Sequence, residues 1–306
     1  MQTTFSPSDL QRSVIAVPPL CRDADLKINP TENAKLMRHI EGGGVTTFLY
    51  GGNANFYNIA LSEYAQVLDI LEAAAGPSSL VIPSIGPYFG TAIDQAALLA
   101  TRHFPTAMLL PTLAVSKPEG VREAVLRIVE KLGRPIVLYV KDEGYITVPV
   151  AKALVDAGAL SWIKYAVVRP NPAEDPLLEA LANEVPRELL VSGIGEQPSI
   201  THWSKFGVQA FTAGCVCVAP NRSQQMLEAL QGGHFEVAEA IRQRFTALED
   251  LRNAHGPIQV LHHAVELAGI AKTGPQMPLL SALPDTTLSA IATAATAALE
   301  WSQSDS

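Results

Sequence analysis

Residues 161–168 read SWIKYAVV. Trp, Ile, Tyr and Val favour strands, and the run is apolar at odd and even positions alike. It therefore reads as a strand buried on both faces, as in a parallel sheet covered by helices. Lys164 stands in its middle and is the anomaly, because a strand of this kind gives an ammonium group no water. Outward from it, similar runs recur: VIAVPPL near 14, VTTFLY near 45, LVIPSI near 80, AMLLP near 107, PIVLYV near 135, LLVSG near 189 and AFTAG near 210. With SWIKYA they make eight, their starts roughly 21 to 35 residues apart, the length of a strand, a crossover helix and two loops. Between them lie helical patterns such as residues 61–76 and 117–133, each ending in a glycine suited to a left-handed cap.

Eight β/α units with near-continuously apolar strands predict an α/β fold, a closed (β/α)8 TIM barrel. The competing fold is an open doubly wound sheet, but no G-x-G-x-x-G follows the first strand. Strand signals stop after residue 221 and the pattern is helical to near the end. The reading is a barrel over residues 1–225 and a C-terminal helical extension over 226–306.

Composition narrows the function. The 306 residues are 48% hydrophobic and 17% charged, enough for a large core, and the net charge of −8 with no Lys/Arg run argues against nucleic acid. No apolar stretch has the length of a membrane span, and the N-terminal residues lack a secretory pattern, so a cytoplasmic protein with no membrane partner is expected. Three cysteines, Cys21, Cys215 and Cys217, fit a reducing compartment. A lone C-x-C is weak evidence for zinc, so Cys215 and Cys217 read as small packing residues and no metal is expected. His262 and His263 fall in an apolar helical pattern and read as structural or surface residues.

In a barrel, catalytic groups project from the C-terminal ends of the strands. The polar residues collected there are Gly51, Gly52 and Asn53 after strand two, Tyr139 at the end of strand five, Lys164 in strand six, Ser192 and Gly193 after strand seven, and Thr212 in strand eight. Burial penalises the charged form of a lysine, and a neutral amine facing a ketone condenses to a Schiff base. The alternative is an ammonium that reaches the barrel mouth or pairs with a carboxylate. Ile163, Val137 and Leu138 are the expected apolar wall around the amine. Tyr139 is positioned to move protons for a ligand on Lys164, or else is a core aromatic with a satisfied hydroxyl.

GGNAN after strand two, LYV with Tyr139, WIKYA with Lys164, VSG in strand seven and AFTAG in strand eight, taken in order, resemble the dihydrodipicolinate synthase / N-acetylneuraminate lyase family over roughly residues 12 to 285. The resemblance implies a Schiff-base lyase, aldolase or dehydratase, that holds pyruvate or another 2-keto acid on Lys164 with Tyr139 as acid/base and needs no cofactor. It also implies a homo-oligomer, dimer or tetramer. Gly51 to Asn55 would hold the keto acid's carboxylate. The chain departs from the synthase proper in several places. Gly52, Asn53, Ala54 and Asn55 replace the hydroxyls and glutamate of the strand-two motif. Leu113 stands where a second phenol completes the relay, and Gly144 where an arginine clamps the second substrate. Asn53 is shared with the 4-hydroxy-2-oxoglutarate aldolases. The expectation is a lyase that does not use aspartate semialdehyde; the alternatives are an authentic synthase with an atypical pocket, or a keto-acid-binding paralogue with little turnover. Lys141, Glu143, Tyr145, Arg169 and Glu196 are the residues expected near a second substrate, with Lys141 or Arg169 as the replacement cation.

Overall fold

A computed structural model describes residues 1–304. The strands are β1 (Ile15–Ala16), β2 (Thr47–Tyr50), β3 (Leu80–Ile85), β4 (Met108–Leu109), β5 (Ile136–Val140), β6 (Leu160–Tyr165), β7 (Leu190–Ser192) and β8 (Thr212–Ala213). All pair in parallel, in the order β7-β6-β5-β4-β3-β2-β1-β8. The bridge between Ser192 and Phe211 joins the two ends, so the eight strands form a nearly closed TIM barrel.

The helices are α1 (Asp9–Arg12), α2 (Pro30–Gly42), α3 (Leu61–Ala74), α4 (Phe89–Ala100), α5 (Pro118–Leu132), α6 (Val148–Asp156), α7 (Pro176–Glu184), α8 (Glu196–Phe206), α9 (Pro220–Gln231), α10 (Phe235–His255), α11 (Pro257–Leu267) and α12 (Asp285–Gln303). Local chemistry accounts for their ends. In α5, Pro118 opens the first turn, Val121, Val125, Ile128 and Leu132 form the buried stripe, and Gly133 at φ +76° closes it. The same ending expected of α3 does not occur. That helix stops at Ala74, its capping residue Ala75 is extended, and the N–H of Gly76 bonds Glu41 Oε1 instead (2.8 Å).

The expected boundary after residue 225 falls inside α9, the eighth barrel helix, which runs on to Gln231. The extension proper is α10 to α12. Helix α10 buries Ala238, Ile241, Phe245 and Leu248 along one stripe, and the same stripe continues through Glu249 and Arg252. Phe245 packs edge-on against Trp301 of α12, with ring centroids 5.3 Å apart.

Side-chain alternation decides which residues of the central strands see the barrel interior. Tyr139 pairs with Lys164 and Val137 with Trp162, so each pair shares a level of the barrel. Tyr165 points the other way, donating its hydroxyl to Asp175 at the start of α7 (2.7 Å). Ile163 and Leu138 have the parity of Tyr165 and lie under the helices. The apolar floor below Lys164 is therefore Val137 with Trp162, and Ile163 and Leu138 are not part of the wall expected from the sequence.

Candidate active site

At the C-terminal end of the barrel a cavity of about 220 Å³ is lined by residues of six strand ends, by α10 and by the start of α11. Lys164 is 6% exposed and its Nζ lies over the ring of Tyr139, 4.4 Å from the centroid. Neither the amine nor the phenol hydroxyl has a hydrogen bond to a protein group among the described residues. Gly193 makes room for the lysine: a Cβ there would lie 2.8 Å from Lys164 Cγ.

Burial first, then the charges of Arg252 and Lys141, push the Lys164 amine down from 10.5 to about 7. Near neutral pH a large fraction of it is the free base. Burial, then Tyr57 and Asp142, push the Tyr139 phenol well above its ordinary 10, so it carries its proton. Tyr57 also lines the cavity, and burial followed by the charge of Asp142 raises it to about 12. Leu113 does leave its own place without a phenol, yet a second phenol reaches the cavity from the turn after GGNAN. That turn consists of Phe56, Tyr57 and Asn58, and its signal in the sequence was the tyrosine two residues past the motif.

Most residues singled out at strand ends come together here. Gly51, Gly52, Asn53, Tyr139, Lys164, Gly193 and Thr212 all line the cavity. The turn after β2 bonds back on itself, Asn55 N–H to Gly52 O (2.8 Å) and Phe56 N–H to Gly51 O (3.2 Å). This leaves the N–H groups of Gly52 and Asn53 without partners among the described residues. Two adjacent free N–H groups are suited to an oxyanion. His262 holds this turn through its contact with Asn53 O (3.1 Å), and burial lowers the ring to about 4, so it is neutral. The histidine read as structural or surface is thus buried behind the site. Ser192 is the exception. Its hydroxyl meets His202 Nδ1 (2.9 Å) and the residue does not line the cavity.

Of the residues expected near a second substrate, only Lys141 lines this cavity. Arg169 pairs with Glu143 (2.8 Å) and Asp175 (3.3 Å) over a neighbouring depression. Tyr145 is buried. Glu196 is buried as well, accepting from Ser223 Oγ (2.7 Å).

Beside the cavity, Glu196, Cys215 and Glu249 place their ligand atoms within 4.8 Å of one another, all buried. Cys215 and Cys217 sit in a 3-10 turn rather than an extended segment, and Cys215 Sγ donates to Glu249 Oε1 (3.1 Å). Cys215 is thus more than a packing residue. Burial and the neighbouring Glu249 hold the Glu196 carboxyl well above the carboxylate range. Arg252 ion-pairs with Glu249, so a cation already occupies this cluster. Arg252 also lines the cavity and escaped the sequence reading. The available signal was an arginine and a glutamate, three apart, continuing the apolar stripe of α10; polar groups on a buried face are the informative ones.

A family model described as the dihydrodipicolinate synthetase family matches residues 14–296. A protein of Rhizobium rhizogenes named probable 5-dehydro-4-deoxyglucarate dehydratase is 22% identical over 305 residues, 94% of this chain and 97% of the relative. One of the same name from Bacillus subtilis is 21% identical over 238 residues, 73% of each chain. Among solved structures, dihydrodipicolinate synthase from Bacillus clausii superposes with a TM-score of 0.85 at 21% identity, covering 97% of this chain and 99% of that one. Sialic acid aldolase from Ruminococcus gnavus does so with 0.84 at 15% identity, covering 95% and 97%.

Proposed function

The chain belongs to the dihydrodipicolinate synthetase family and is a lyase, and on that premise we propose that it acts through a Schiff base on Lys164 and dehydrates a 2-keto-3-deoxy acid. The observation that carries this reading is the amine of Lys164, lowered by burial to about 7 and set over the ring of Tyr139, in a cavity that Gly52 and Asn53 also line. The relatives named above favour dehydration, because 5-dehydro-4-deoxyglucarate, numbered from its other end, is a 2-keto-3-deoxy acid with a carboxylate at each terminus.

The steps follow from these groups. The substrate's 1-carboxylate rests on the N–H groups of Gly52 and Asn53, with its C2 carbonyl toward Lys164. The free amine adds to C2, and the Tyr139 phenol supplies the proton with which the carbinolamine hydroxyl leaves as water. The resulting iminium acidifies C3–H. Transfer of that proton to the tyrosinate forms an enamine, which expels the C4 hydroxyl as a second water. Tyr57, protonated and beside Tyr139, is placed to share these transfers. Hydrolysis of the imine restores Lys164.

The synthase reaction is disfavoured. Gly144 offers no clamp, and Gly52 and Asn53 offer no hydroxyl relay. Losing one charge-assisted contact weakens recognition about ten- to a hundredfold. The test has two parts. Borohydride added with pyruvate should place a lactyl-sized mass on the peptide containing Lys164, and no mass on Lys164→Ala; an unmodified wild-type peptide would sink the Schiff-base reading. Proton NMR with 5-dehydro-4-deoxyglucarate should then show loss of water, with kcat/KM at least about a hundredfold above that for pyruvate plus aspartate semialdehyde. Retro-aldol fragments would make the protein an aldolase, and efficient use of the semialdehyde would make it a synthase.

A further inference from the structure

We propose that Arg252, delivered by α10 of the C-terminal extension, is the specificity-determining residue that selects 2-keto acids carrying a second carboxylate at the far end. This rests on the reading of the cavity as a Schiff-base site and names the substrate class that the cavity accepts.

The guanidinium is inserted into the barrel mouth through space kept by two glycines. A Cβ on Gly214, directly after β8, would lie 2.5 Å from Arg252 Cζ. A Cβ on Gly195, after β7, would lie 2.6 Å from Oε2 of Glu249, the carboxylate that orients the guanidinium. Arg252 is only 7% exposed, and what remains open faces the cavity that holds Lys164.

Its donors are mostly idle. A guanidinium carries five N–H groups. Among the described residues Arg252 makes one hydrogen bond, from Nη1 to Glu249, and its buried Nε has no partner. Burying a cation with unused donors is unfavourable unless something completes them. The group whose geometry matches an arginine fork is a carboxylate, bound through two parallel hydrogen bonds.

Position supplies the second half of the argument. The free N–H groups that suit the 1-carboxylate lie on the β2 turn, the imine forms on β6, and Arg252 lies over the ends of β7 and β8. A substrate fixed at its first carboxylate and at C2 therefore has its remaining carbons free to extend toward a different arc of the barrel mouth, where this cation waits. Two other cations could compete. Arg169 is committed to Glu143 and Asp175. Lys141 lines the cavity but is exposed, so it offers a solvated point charge rather than a fixed fork.

The test compares two acids of equal length, 2-oxoadipate and 2-oxohexanoate, by the concentration that gives half-maximal borohydride trapping on Lys164. In the wild type the dicarboxylic acid should half-saturate at a concentration at least about tenfold lower. Arg252→Gln, and the charge-balanced pair Arg252→Gln with Glu249→Gln, should each reduce that preference at least about tenfold. Removing Arg252 also changes the basicity of Lys164, but this acts on both acids alike and cancels in the ratio. A smaller fall assigns Arg252 a packing role and overturns the proposal, as does loss of the preference in Lys141→Gln with retention in Arg252→Gln. Should Arg252→Gln fail to fold, Arg252→Lys, which keeps the charge and removes the fork, takes its place and should lose the preference likewise. Trapping without preference removes this proposal alone, whereas no trapping with either acid removes the Schiff-base reading and the proposal with it.

Discussion

Lys164 shows what burying a single ionisable side chain does to stability. The unfolded chain binds its proton up to about pH 10.5, the folded chain only below about 7. Between those values the unfolded state holds more protons, so this group's contribution to stability rises with pH, and the full penalty applies below pH 7. At about 1.4 kcal/mol per pH unit, the penalty is of the order of 3 to 5 kcal/mol. Lys164→Met should therefore be catalytically dead yet more stable than the wild type. Urea denaturation should give a gap of a few kcal/mol at pH 6.5, shrinking toward zero as the pH approaches 10; a constant gap would mean the amine is not held neutral. Tyr139→Phe keeps the ring under Nζ and removes only the hydroxyl. It should lower kcat by about 10² or more with little change in Tm, and an unimpaired kcat would make Tyr139 a packing residue. Both residues were legible in the sequence, since a solitary lysine in an apolar strand is anomalous on composition alone. The wall around them was not, because Ile163 and Leu138 differ from Lys164 and Tyr139 only in parity.

Among the elements, α10 carries the most information. Its apolar stripe seats it on the barrel, and the same stripe presents Glu249 and Arg252 to the mouth. A helix that looked like an appendage thus completes the cavity. Gly214 is the contact on which this depends. Its backbone, at φ −94° and ψ −43°, accepts any residue, so the nearest obstacle to a side chain is the guanidinium. Gly214→Ala should displace Arg252 and lower kcat/KM for a dicarboxylic 2-keto acid about tenfold. Added to Arg252→Gln it should change the same quantity less than about twofold, because both act through one group. Additive losses would separate the two residues. The turn after β2 teaches the same lesson. Its glycines marked it as a binding loop, but the support it receives from His262, more than 200 residues away in sequence, depends on how α11 docks.

For the whole molecule, apolar side chains outside the barrel point to assembly. Tyr88 (61% exposed), Leu113 and Val115 (72%) are exposed on the loops after β3 and β4, and Phe89 at the start of α4. Tyr88, Phe89 and Val115 border a second cavity of about 250 Å³. Exposed apolar groups clustered in this way mark an interaction surface, and a symmetric homo-oligomer is the usual solution. Light scattering at micromolar concentration should report a dimer or larger, and Val115→Glu should shift it toward monomer; a monomeric wild type would remove the claim. No helix among the described residues is long and apolar enough to cross a membrane. The sequence by itself determined the eight-strand alternation, the barrel, and the lysine and tyrosine at its mouth. These follow from local periodicity and from residue types that are out of place where they stand, and both are written in neighbouring positions. Only the tertiary structure decided that Arg252 and Tyr57 join them, that Ser192 turns away to His202, and that Arg169 is spent on Glu143 and Asp175. Those outcomes depend on where helices dock and on which of several nearby partners a side chain reaches, and no spacing along the chain records that.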